Sequence, residues 1–286
     1  MKTILVVGGA GFIGSELVKR YLNIDGHEVY SLDDYSSGSA SNHHEGATYI
    51  NGHCKDIEDC IDFVPNIVFH LGEYSRVEQS FSDFEKVWES NILGTKKVLE
   101  FCARTGAKLV YAGSSTKFGD EGLGRNQSPY GWTKASNTDL IMNYGDWYGL
   151  DFAICYFYNA YGDNEISSGQ YATVIGIFRE SIKNTGVVQI VAPGTQRRNF
   201  THVFDIVEGL LLVGEQGRGD GYGIGHPNSY SIIEVASLFG AQIEWLPPRK
   251  GNRMGAPVIT DKIRALGWEP QFDLPTYISN SNHQCP

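Results

Sequence analysis

Ile4-Leu5-Val6-Val7-Gly8-Gly9-Ala10-Gly11-Phe12-Ile13-Gly14 runs from four consecutive apolar residues through a glycine-rich turn into a segment of helical period. A short apolar run of this kind reads as a strand buried on both faces, the pattern of a parallel sheet. It is too short for the apolar core of a signal sequence and meets glycine at once, so a first strand is expected rather than a leader. Gly8, Gly11 and Gly14 fall where the chain turns tightly and comes close to a ligand, and a side chain there would block a pyrophosphate. The helix that opens at Phe12 and Ile13 offers unpaired N–H groups and the positive end of its dipole to phosphate oxygens.

Outward from this turn the same alternation continues. Apolar runs at 29–32, 67–71, 109–112 and 152–156 are separated by segments at 12–21, 87–104 and 134–148 with apolar residues three and four apart. Strands alternating with helices predict an α/β fold, a Rossmann-type doubly wound parallel sheet with helices on both faces. After about residue 162 the pattern changes. A helix is expected at 174–183 and short strands at 188–191 and 199–202, and Pro193, Pro227, Pro247, Pro248 and Pro257 break the C-terminal part of the chain into small pieces. The reading is a Rossmann domain over 1–165 and a smaller α/β substrate domain over 166–286, with an approximate boundary across which segments can interleave.

Composition narrows the function classes. The 286 residues are 41% hydrophobic and 20% charged, an ordinary globular mixture. Lys plus Arg of 23 against Asp plus Glu of 33 gives a net charge of -10, opposite to the footprint of a general nucleic-acid binder. An anionic ligand must then be held locally, by backbone amides and a few arginines. Five scattered cysteines without metal-type spacing fit free thiols in a reducing compartment, with no metal site. With no apolar stretch long enough to cross a bilayer, a cytoplasmic protein without a membrane partner is expected. His43-His44 reads as a loop pair lacking further ligands, and Tyr156, Phe157, Tyr158 and Tyr161 read as core.

Two further signals carry chemistry. Asp33 lies nineteen residues beyond Gly14 at the end of the second predicted strand, where a carboxylate accepts hydrogen bonds from the adenosine ribose and repels a 2′-phosphate. That predicts NAD rather than NADP as the cofactor. Tyr130 and Lys134, four apart at the start of a predicted helix, share one face. An ammonium beside a phenol favours the phenolate, and a positive nicotinamide ring pushes the same way, which is how a tyrosine becomes a usable base near neutrality. Ser114 and Ser115 end the fifth strand on the sheet edge where ligands of open α/β folds bind.

With these landmarks the chain resembles the extended short-chain dehydrogenase/reductase superfamily, in particular its nucleotide-sugar epimerase/dehydratase family, which includes UDP-glucose 4-epimerase. The resemblance covers nearly the whole chain. It runs through Asp56-Ile57, His70-Leu71, Asn91 with Gly94-Thr95, Ser114 to Gly119, and Ser128-Pro129-Tyr130-Gly131 with Lys134. It continues through Asn159-Ala160-Tyr161-Gly162, Gln196 to Asp205, Arg249 to Asn252, and Leu266-Gly267-Trp268. It implies that Tyr130 takes and returns the proton of a sugar hydroxyl, that Ser114 hydrogen-bonds the same oxygen, and that Lys134 holds the nicotinamide ribose. It places Asp56, Ile57, Leu71 and Asn91 with the glycine turn and Asp33 around NAD, and Ser115, Thr116, Asn159, Arg198 and Arg249 around a nucleotide-diphosphate sugar, a UDP-sugar foremost. It also implies a homodimer built on the helices at 87–104 and 134–148.

Departures from the family pattern bear on the reaction. Dehydratases hold an acid pair at the positions of Ser115 and Thr116, and decarboxylases a glutamate at Thr116; neither is present here. The expected activity is therefore an NAD-dependent nucleotide-sugar 4-epimerase. Glu73 stands where a small residue is usual, Lys117 where an apolar one is usual, and Tyr156 where arginine is common. Glu73 and Lys117 are either an alternative acid/base pair, which would make the protein a dehydratase, or a buried ion pair. A non-catalytic NAD-binding protein is the third reading, although it would have no use for Ser114, Tyr130 and Lys134 together.

Overall fold

The computed structural model describes residues 1–169, 171–248 and 254–282, without the side chains of 281 and 282. The apolar runs form β1 Lys2–Val7, β2 His27–Asp33, β3 Thr48–Asn51, β4 Ile67–His70, β5 Lys108–Ser114 and β6 Phe152–Phe157. Much later in the chain, β11 Gly219–Ile224 joins the same sheet. The order is β3-β2-β1-β4-β5-β6-β11, with every neighbouring pair parallel. Three two-stranded pieces complete the strands: β7 Ala160–Tyr161 with β10 Thr201–His202, β9 Arg197–Asn199 with β12 Ser229–Ser231, and β8 Val187–Val191 with β13 Gln242–Leu246. The helices are α1 Phe12–Leu22, α2 Ile57–Cys60, α3 Phe84–Val87, α4 Thr95–Thr105, α5 Pro129–Tyr148, α6 Val174–Thr185, α7 Val203–Gln216, α8 Ile232–Leu238, α9 Asp261–Arg264 and α10 Leu274–Asn282.

Side-chain alternation along β1 explains why both faces are covered. Ile4 and Val6 enter a core with Leu17 and Tyr21 of α1 and Ile206 and Leu210 of α7. Leu5 and Val7 enter the opposite core with Val98 and Phe101 of α4 and Ile141 of α5. Each such buried aliphatic side chain stabilises the fold by about 2 kcal/mol. A third core, with Phe178, Val188, Ile190, Val235 and Ile278, belongs to the smaller layer. Because α7 and β11 return from beyond residue 166 to the large sheet, the chain crosses between the layers more than once.

Two sequence expectations change in detail. The segment at 87–104 is not one regular helix: Trp88–Gly94 is a π-helical turn between α3 and α4. In that wider turn Asn91 is fully buried. Wide turns of this sort recur near functional sites. The strand at 199–202 is two pieces, β9 and β10, in different pairings. β3 and β11 were not foreseen. β3 has no fully buried residue to set a pattern, and β11 carries three glycines. At Gly223 a Cβ would lie 1.8 Å from the Ile259 carbonyl oxygen, so close backbone packing replaces apolar side chains there.

Candidate active site

The order of the strands reverses between β1 and β4, and the crevice at their C-terminal ends is where open α/β sheets take ligands. Here it is a cavity of about 880 Å³. Gly8, Gly11, Phe12, Ile13, Gly14, Asp33 and Leu71 line one end of it. Gly8 has φ of +86°, and a Cβ on it would lie 2.7 Å from the Gly72 backbone. A Cβ on Gly14 would stand 2.0 Å from the Gly8 carbonyl oxygen. The cradle thus exists only without side chains, and the first turn of α1 opens directly behind it. Asp33 is 7% exposed and accepts from the amides of Ala10 at 2.9 Å and Tyr35 at 2.8 Å. Burial pushes its carboxyl above the ordinary range, against those two amides. The residues fit NAD: a bare cradle for the pyrophosphate, and a fixed carboxylate that disfavours a 2′-phosphate.

At the other end, α5 delivers Tyr130 and Lys134. Ser128 caps the helix by accepting from the Gly131 amide at 3.0 Å, and Pro129 occupies its first turn. Ser114, at the end of β5, donates to the Thr116 hydroxyl at 3.0 Å and accepts from the Thr116 amide at 3.2 Å. Ser114, Ser115, Thr116, Tyr130, Lys134, Asn159 and Arg198 all line the cavity. The structure therefore brings together the serine, tyrosine and lysine that the sequence pattern joins.

Lys134 is the most constrained of the three. Its ammonium donates to the Ala112 carbonyl at 2.6 Å and forms an ion pair with Glu73, the two side chains being 7% and 2% exposed. Glu73 also accepts from Thr95 at 2.7 Å, Asn137 at 2.8 Å and Tyr111 at 3.1 Å. Burial and the Glu73 charge hold the Tyr111 phenol well above its ordinary pKa, so it remains a donor. His70, driven down to about 4 by burial, is neutral and lies 3.0 Å from the Thr95 hydroxyl. A buried ion pair needs extra donors to offset desolvation, and this one has them. Two of the three ammonium protons are engaged, which leaves one for a ligand.

Glu73 and Lys117 do not pair with each other. Lys117 is 3.6 Å from Asp220 and donates to Thr138 at 2.9 Å and to the Tyr156 hydroxyl at 3.3 Å. Tyr156 in turn donates to Asp220 at 2.7 Å. Two of the unusual residues thus compensate each other, and Lys117 does not line the cavity. Glu73, which does line it, is bound to Lys134.

Other expected contacts move. Asp56 and Ile57 do not line the cavity, and Ile57 sits in the core at 0% exposure. Gly52, His53 and Cys54 line it instead, because they directly follow β3 on the sheet edge while Asp56 lies a turn further on. Asn91 also stays inside the protein. It accepts from the Tyr74 amide at 2.8 Å and donates to the Tyr74 carbonyl at 3.2 Å and to Thr133 at 3.1 Å, bracing the loop after β4 against α5. Asn159 has φ of +38° and donates to the Asn199 carbonyl at 2.9 Å, locking the end of β6 to β9. Arg249 lies outside the described residues, as do Lys250 to Arg253 and the chain end with Cys285. Arg76 and Tyr171, which no sequence signal singled out, also line the cavity.

Residues 4–225 match the NAD dependent epimerase/dehydratase family. The UDP-glucose 4-epimerase of Mycolicibacterium smegmatis is 31% identical over 94% of this chain and 94% of that enzyme. UDP-glucuronic acid decarboxylase 6 of Arabidopsis thaliana is 27% identical over 95% of this chain and 85% of its own length. Among solved structures, the UDP-glucose 4-epimerase of Thermotoga maritima with UDP-glucose superposes with a TM-score of 0.88. It is 26% identical and covers 98% of this chain and 97% of its own.

Proposed function

The chain belongs to the NAD dependent epimerase/dehydratase family, and from that premise we propose that it is a nucleotide-sugar 4-epimerase whose preferred nucleotide is UDP. NAD is its cofactor, and when bound it supplies the oxidant that takes up and returns hydrogen at the sugar C4. Tyr130 removes the O4 proton and later restores it, while Ser114 hydrogen-bonds the same oxygen and steadies it between the two protonation states. Lys134, fixed by Glu73 and the Ala112 carbonyl, uses its remaining N–H on the cofactor ribose. Asn159, Arg198 and Arg249 hold the substrate diphosphate, for which a guanidinium fork is suited. The 4-keto sugar turns over in the cavity before the hydrogen returns to its other face.

The observation that carries the epimerase reading is the pair of residues after Ser114. Elimination of water needs one group to take a carbon-bound proton and another to protonate the departing hydroxyl. At those positions the protein offers Ser115 and Thr116, with Thr116 hydrogen-bonded to Ser114. The rival groups are engaged by other partners, Glu73 at the cavity wall by Lys134 and Lys117 off the cavity by Asp220. Incubation with a panel of UDP-, dTDP-, GDP- and CDP-sugars, followed by chromatography and mass spectrometry, tests this. An isomer of unchanged mass is expected; loss of one water would establish the dehydratase instead.

The same reading includes a homodimer. Phe84, Trp88, Leu93 and Trp132 are 44%, 38%, 44% and 42% exposed, and the rings of Trp88 and Trp132 lie parallel at 6.2 Å. Sedimentation should give twice the 31.6 kDa of one chain, and Trp88→Glu should give single chains. A wild-type protein that sediments only as single chains would contradict it.

A further inference from the structure

Seven described arginines meet carboxylates: Arg20, Arg104, Arg125, Arg179, Arg197, Arg218 and Arg264. Arg198 donates to backbone carbonyls. Arg76 differs from all of them. It lines the cavity, its Nε is buried without a hydrogen-bond partner, and its guanidinium stands 5.6 Å from the centroid of the Tyr171 ring. Among the described residues no carboxylate pairs with it. Burial works against its charged form, with smaller opposing effects from the phenols of Tyr130, Tyr171 and Tyr74.

A half-buried guanidinium without an anion is costly to maintain, because desolvation removes water that no protein acceptor replaces. Its loop is also fixed in advance. The Tyr74 amide donates to Ser90 at 3.1 Å and to Asn91 at 2.8 Å, and the Tyr74 hydroxyl donates to Asp83 at 3.0 Å. Arg76 is therefore a cation on a braced loop, lining the cavity with its Nε unpartnered. Its position also selects between two anions. The groups assigned to the diphosphate, Asn159 and Arg198, come from the end of β6 and from β9, whereas Arg76 comes from the loop after β4, the loop whose Glu73 holds Lys134 at the cavity wall.

We propose that Arg76 recognises a carboxylate on the sugar ring, so that the preferred substrate is a nucleotide-diphosphate hexuronate rather than a neutral hexose. This rests on the nucleotide-sugar reading above and deepens it. A planar guanidinium matches a carboxylate with two parallel hydrogen bonds, a match that lysine does not reproduce. The Tyr171 ring, 5.6 Å from the guanidinium carbon, offers it a cation–π contact that does not use up its hydrogen-bond donors.

Calorimetric titration of the NAD-loaded protein with UDP-glucuronate, UDP-glucose and UDP tests the assignment. The wild type should bind UDP-glucuronate at least tenfold tighter than UDP-glucose. Arg76→Gln should reduce that ratio at least tenfold, and Arg76→Lys should recover only part of it. Equal wild-type affinity for the two sugars would overturn the proposal and leave the epimerase reading standing. Equal loss for UDP-glucuronate and UDP in Arg76→Gln would also overturn it, by placing Arg76 on the diphosphate. Binding of none of the three ligands would overturn the UDP-sugar reading beneath it. Should Arg76→Gln fail to fold, the wild-type ratio decides.

Discussion

At the cofactor end of the cavity the recognising surface is mostly backbone, with glycines at 8, 11 and 14, a helix N-terminus and one carboxylate held by two amides. At the sugar end it is side chains drawn from distant segments, with Glu73 and Lys134 meeting across 61 residues of sequence and Arg76 joining from a third loop. Backbone recognition suits a group common to many proteins, such as a pyrophosphate. Side-chain recognition is where a chain can depart from its relatives, and one of the three residues that depart from the family pattern, Glu73 in place of a small residue, falls there, while Lys117 and Tyr156 pair with each other off the cavity.

The sharpest way to break this division is Tyr130→Phe. Loss of a positioned acid/base should slow turnover by about 10³-fold, while the increase in melting temperature on adding NAD persists, since the glycine cradle is untouched. If cofactor stabilisation vanished together with turnover, the two ends would not be separable.

Glu73→Gln should come next. It leaves the Lys134 ammonium buried without its counter-charge, so stability should fall by about 3 kcal/mol in urea titration, with turnover falling through the misplaced lysine. Read without structure, the epimerase hypothesis expects the chemical step to tolerate this substitution, since only a dehydratase would use Glu73; the ion pair with Lys134 removes that expectation. Lys117→Met should leave the chemical step of an epimerase intact, because Lys117 lies off the cavity, and a strong loss of turnover would favour the dehydratase.

Glu165 tests whether the substrate side is also tuned through burial. Its side chain is 0% exposed, accepts from Thr173, and lies 3.7 Å from Arg179, beside the cavity-lining stretch that includes Ile166, Tyr171 and Thr173. Burial raises its pKa from 4.5 to about 7, against the opposing effects of Thr173 and Arg179. Between those values the folded state binds more protons than the unfolded one, so stability falls as pH rises through the window. The loss is at most about 3 kcal/mol. Urea titrations at pH 5, 6, 7 and 8 should show this slope in the wild type and a flatter one in Glu165→Gln; identical slopes would remove Glu165 as the cause.

The smallest expected effect sharpens the cofactor side. Asp33→Ala should weaken NAD and relieve repulsion of a 2′-phosphate, narrowing the preference for NAD over NADP about tenfold. Equal wild-type affinity for the two cofactors would refute the role given to Asp33.

Legibility in the sequence divides the same way. The glycine turn, Asp33 and the Tyr130–Lys134 spacing are local patterns, and the structure places all of them around one cavity. The partner of Lys134 was not legible, because it depends on β4 and α5 being brought together by the sheet. Glu73 could be flagged only as a charged residue in a small residue's position, and Arg76 gave no signal, since an isolated arginine in a loop looks like any surface cation. Asp56 and Ile57 stand three residues beyond His53 and Cys54, which line the cavity, and the end of β3 carries no apolar pattern to mark where the sheet edge lies. β11 was missed because its packing is made by glycines.

The central claim is that chemistry begins and ends at C4 without a second acid or base. Turnover of a nucleotide sugar in deuterium oxide, with the product resolved by mass spectrometry and proton NMR, tests it most directly. A 4-epimerase returns the same hydrogen to C4, so the account predicts an isomer of unchanged mass with no carbon-bound deuterium. A dehydratase must remove a proton from C5 before water leaves, so a product lacking one water and carrying deuterium on carbon would contradict the account.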